Sequence, residues 1–86
     1  MGYVMHPMTR EEFKRRGSAV LGGVGWMSRF MRGTGVGYQS VRRWVHGQTP
    51  VPPMAASIVV LLEILAEHEL PFPPEFGYSP PTSSKS

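Results

Sequence analysis

The stretch from Trp26 to Gly47, WMSRFMRGTGVGYQSVRRWVHG, decides how the rest of the chain is read. It divides into two short helical segments around a glycine turn. In the second segment Val41, Trp44 and Val45 stand at i, i+3 and i+4, the spacing of one buried helical face. Tyr38, Gln39, Ser40, Arg42, Arg43 and His46 fall largely between or opposite those positions and so face outward. A helix that buries Val and Trp while presenting Gln and two Arg suits a DNA groove. Gln pairs bidentately with adenine, and Arg with guanine.

Working outward, the periodicity predicts a preceding helix over Val24–Thr34, with Trp26, Phe30, Met27 and Met31 as its apolar bulk and Arg29 and Arg32 away from that stripe. Gly33, Gly35 and Gly37 read as turn residues. Further upstream, Thr9 with Glu12 three residues later forms a capping box that opens a first helix. Phe13, Val20 and Leu21 share one face of it, Lys14, Arg15 and Arg16 the others, and Gly22-Gly23 stops it. Downstream, a turn with three prolines over Gln48–Pro53 leads into a long helix, Met54–Glu69. An early proline is tolerated there because its missing N–H has no helical partner.

That long helix is apolar nearly all round before Glu63, so it must be covered on more than one side. One face, Ile58, Leu61, Leu62 and Leu65, can close the domain core against Phe13, Val41 and Trp44. A second copy of the chain is expected to cover the rest, and Ile58, Val59, Leu61, Leu62 and Leu65 are the expected dimer interface. The alternative cover is the segment after it, PFPPEFGY, lying along the helix as an extended strap. The resulting division is a flexible arm at 1–8, a helical domain at 9–69 and an extended, partly disordered tail at 70–86, whose Pro/Ser-rich end from Ser79 has no large apolar residue.

The segment GVGYQSVRRWVHG, Gly35–Gly47, carries a resemblance to the Cro- and phage-repressor-like helix-turn-helix regulators of bacteria and phages, and the likeness extends from Thr9 to Leu65. Gly35-Val36 resembles the Gly-apolar pair that ends the first helix of that motif. Ser40-Val41-Arg42-Arg43-Trp44 is similar to the body of the recognition helix, and Gly47-Gln48 to its exit. The chain departs from the family at three places. It has Gly37 where a Ser or Thr cap is usual, Gly33 where Leu is usual and Met31 where Ala is usual.

The resemblance implies an all-α fold, a small four-helix bundle with a helix-turn-helix, and a dimeric autorepressor bound to an inverted repeat in double-stranded DNA. It places Tyr38, Gln39, Ser40, Arg42 and Arg43 at base edges, because N-terminal residues of such helices enter the groove. Arg29, Arg32, Gly37, His46 and Gln48 are then expected on phosphate. Antitoxins and anti-CRISPR-associated repressors share this build. A reading from another class is a protein-interaction module that binds its partner through the long apolar helix 54–69. The helix Tyr38–His46 would then be a bundle helix with an ordinary basic outer face.

Composition narrows the field further. A chain of 86 residues supports one small domain. It has no cysteine, which excludes disulfides and thiolate metal sites and fits a reducing cytoplasm. No apolar run reaches the length that spans a bilayer, and the first residues lack a signal-peptide pattern. The net charge of +3 hides an asymmetry: eight basic residues against two acidic before residue 51, and one against four after it. A basic half suits a polyanion and an acidic half a separate partner surface. There is no Asp, and neither a spaced carboxylate pair nor a phosphate-loop ending, so no catalytic residue is expected. His6, His46 and His68 match no tetrahedral metal spacing, and no cofactor is expected.

Overall fold

The computed structural model describes residues 8–80. Among them the chain is all-helical, with α1 at Arg10–Val20, α2 at Trp26–Thr34, α3 at Tyr38–His46, α4 at Pro53–Glu67 and a single 3₁₀ turn at Pro74–Phe76. The expected arm at 1–8 lies outside the described residues except for Met8, which is buried in the core. The tail beyond Pro80 lies outside them as well.

The capping box forms as its residues dictate. Thr9 Oγ1 accepts the Glu12 N–H at 3.1 Å, and Glu12 Oε1 accepts the Thr9 N–H at 3.0 Å. Glu11 and Glu12 meet the positive end of the helix dipole. α2 starts two residues later than its apolar pattern suggested. Gly22, Gly23 and Gly25 all adopt left-handed backbone and reverse the chain before Trp26.

α1 is the central element, approached by α2, α3 and α4, whereas the backbone of α4 approaches α1 alone. Phe13 on α1 is fully buried, and three rings meet it edge-on: Trp26 and Phe30 from α2, each at 5.4 Å, and Trp44 from α3 at 5.9 Å. One turn on, Gly17 leaves room for the Trp26 indole, from which a Cβ would stand only 2.6 Å. α4 closes the other side with Ala55, Ala56, Val59 and Leu62. Arg16 and Glu63 join α1 to α4 through two part-buried hydrogen bonds of 2.9 and 2.5 Å.

Two expectations need correction here. Val59 and Leu62 are buried in the chain's own core, so they have no surface to offer a second copy. The C-terminal strap, in turn, lies against α2 and not along α4. Its Phe72 and Phe76 are buried, Phe76 presses on Gly33, and Tyr78 lies against Gly22. Ser79, expected in the disordered end, accepts the Phe72 N–H at 2.9 Å and closes the strap on itself. The reason is space: α2 has a glycine where a side chain would otherwise stand, and the strap's aromatic ring fills it.

Candidate nucleic-acid interface

Two helices and the turn between them position the candidate surface. α2 ends at Gly35, whose left-handed backbone (φ 77°) lets its N–H reach the Met31 carbonyl at 2.8 Å. Thr34 Oγ1 donates to the Phe30 carbonyl and accepts the Val36 N–H, which stiffens the exit. Gly37, in ordinary extended backbone, then starts α3 with no side-chain cap. Only Gly35 of the three expected turn glycines therefore needs to be glycine for its backbone, and Gly33 belongs to α2.

α3 ends equally firmly. Gly47 is left-handed, its N–H bonds to Trp44 and that of Gln48 to Arg43, a Schellman closure. Arg10 adds a bond that sequence spacing does not announce: its Nη1 donates to the His46 carbonyl at 3.0 Å, across 36 residues. A cation at a helix C-terminus also offsets the dipole. The N-terminus of α1 thereby holds the last turn of α3.

Between these ends α3 turns Val41 and Trp44 inward and leaves Gln39, Arg42, Arg43 and His46 exposed, at i, i+3, i+4 and i+7. With Gln48 these side chains line a shallow polar hollow of about 430 Å³. Neither the Arg42 nor the Arg43 guanidinium has an ion pair or hydrogen bond within the chain among the described residues. Of the carboxylates, Glu11 is engaged with Arg10, Glu12 with Thr9 and Glu63 with Arg16. A solvated double-Arg surface without a counter-charge could receive an anion without giving up a partner.

The other expected contact residues are distributed less evenly. Tyr38 is half exposed at the first turn of α3, and Ser40 is half-buried. Arg29 is engaged within the fold. Its Nη1 donates to the carbonyls of Leu21 at 2.7 Å and Val24 at 3.0 Å, and its guanidinium sits 5.2 Å from the centre of the Tyr78 ring. It braces the α1–α2 turn, and its Nη1 would have to give up both bonds to meet a phosphate. Arg32 is exposed but lies against Gly77 of the strap.

Among the described residues no group of three His, Cys, Asp or Glu side chains could hold a metal ion. No helix there is long and apolar enough to cross a membrane. Compared with known protein families, curated proteins and solved structures, the chain matches none of them.

Proposed function

We propose that this chain is a sequence-specific double-stranded DNA-binding regulator in which α2 and α3 form a helix-turn-helix and α3 enters the major groove. The observation that carries the reading is the outward stripe of α3, two unpartnered arginines with Gln39 and His46 opposite a buried Val-Trp face. The left-handed Gly35 between two nine-residue helices and the uncapped start of α3 support it. So does the resemblance of Gly35–Gly47 to the recognition segment of Cro- and phage-repressor-like proteins.

Dimerisation belongs to the same proposal. Met54, Leu61 and Ile64 remain 53%, 59% and 44% exposed on the outer side of α4, beside half-buried Ile58 and Leu65. Fully burying such a side chain contributes about 1.5–3 kcal/mol, so half-exposed ones add ~1 kcal/mol each, or ~6 kcal/mol for six in two copies. Association costs about 4–15 kcal/mol. A dimer built on this face is weak when free and gains its stability on DNA. The same face would serve the alternative reading, in which α4 binds a different protein.

The deciding experiment is a gel-shift titration on DNA from the chain's own upstream region against scrambled DNA at physiological salt, where non-specific binding lies at about 10⁻⁴–10⁻⁶ M. Nanomolar binding to the upstream fragment alone is the expected result. Equal, weak binding to both sinks the proposal and leaves α4 as the functional surface.

A further inference from the structure

The four outward side chains of α3 are not equivalent. At about 100° per residue, buried Val41 and Trp44 define the centre of the inward face. Gln39 and His46 then fall within ~10° of the line directly opposite it, whereas Arg42 and Arg43 fall ~50° to either side, at nearly the same height along the axis. Resting on the DNA reading above, we infer that Gln39 and His46 read base edges, while Arg42 and Arg43 grip one phosphate on each strand.

With the axis of α3 laid along the groove, so that its last turn as well as its first faces the bases, the shapes favour this division. The major groove is about 12 Å wide and admits one helix of about 10–12 Å diameter. Side chains on the outermost line of that helix meet the groove floor, where bases present their edges. Long side chains diverging ~50° from that line meet the walls, which are the two backbones. Gln39 carries the donor–acceptor pair that matches adenine. His46 stands seven residues further, roughly 10 Å along the axis, or ~3 base pairs at ~3.4 Å each. Its backbone is fixed by the Arg10 bond to its carbonyl, so the last turn is held while the ring points outward. Two specificity positions ~3 base pairs apart therefore lie between two phosphate contacts.

The test uses the full-length chain and a pool of randomised duplexes, followed by binding isotherms on the enriched sequence at several KCl concentrations. Arg42→Ala and Arg43→Ala are expected to weaken binding to every duplex by similar factors. Each should flatten the slope of log K against log salt by about 0.9. Arg42→Lys and Arg43→Lys should keep that slope, since a phosphate accepts either cation. Gln39→Ala should keep the slope and erase a preference of about 5- to 150-fold at one base pair, and His46→Ala should do the same ~3 base pairs away. If an arginine variant, Lys included, loses discrimination at a single base pair while the other base pairs keep theirs, the arginines read bases. The division is then overturned and the DNA reading stands. A pool that yields no enriched sequence overturns both.

Discussion

Replacing Gly33 by Ala opposes two effects whose sizes can be worked from the packing. Gly33 lies inside α2 with ordinary helical backbone, so Ala should gain about 0.8–1.0 kcal/mol of helix propensity. All three nearest neighbours of the added Cβ, however, are atoms of the Phe76 ring, closer than any real contact. The ring would have to leave. Phe76 is 5% exposed, and losing its burial costs about 1.5–3 kcal/mol. Losing its edge contact with Phe72, at 6.5 Å, costs about 0.5–1.5 kcal/mol more. The net is a loss of ~1–4 kcal/mol, which for a domain of this size lowers the melting midpoint by about 4–8 °C per kcal/mol. Thermal melts followed by circular dichroism would read it, on the single variant and again in a Phe76→Ala background. There the obstruction is gone, so Gly33→Ala should turn from destabilising to stabilising. An equal effect in both backgrounds, or a gain in the presence of Phe76, would refute the strap's packing on α2.

Other elements make separate predictions. Arg16→Ala should cost about 1–2 kcal/mol in denaturant unfolding, between an exposed pair and a buried one, because the Glu63 hydrogen bond that raises the Arg16 pKa is part-buried. On α4, Leu61→Glu should leave the fold intact and reduce self-association in sedimentation. Leu62→Glu should instead unfold the domain, because Leu62 is 3% exposed; two variants with the same outcome would discard this assignment of faces. The Glu11 carboxyl is held below the usual carboxylate range by its backbone hydrogen bond and then by Arg10. The stability this contributes is present above the unfolded carboxylate pKa, about 4.3, and is lost as pH falls through the lowered value. Melts of Glu11→Gln should therefore differ from the parent at pH 6 and converge in acid.

What the sequence announced was what neighbours along one helix decide. The capping box of Thr9 and Glu12 and the limits of α3 at Tyr38 and His46 are local, and they stand where the residue pattern puts them. The outward set Gln39, Arg42, Arg43 and His46 was legible for the same reason, since Val41 and Trp44 fix the opposite face. What periodicity could not reach was which element sits against which. Five α4 residues looked interchangeable, yet two are core and Leu61 is the most exposed, because the direction of the core is set by α1 and not by α4 itself.

The arginines carry the same lesson further. By composition the basic residues before position 51 form one class, but their partners divide them. Arg10 closes α3, Arg16 ties α1 to α4, and Arg29 braces the turn before α2. Each of these lies within reach of a carbonyl or carboxylate, from a distant part of the chain for Arg10 and Arg16 and from the preceding turn for Arg29, and an engaged guanidinium must give up those bonds before it can bind anything else. Arg42 and Arg43 lie on a helix whose first turn contains no acidic residue and which is approached only by α1 and α2. A polyanion would therefore meet two cations that need break nothing to receive it. The strap is tied to Gly33 in the same terms. There α2 leaves a hole, and Phe76 from 43 residues away fills it. That glycine makes the strap a condition of α2's packing.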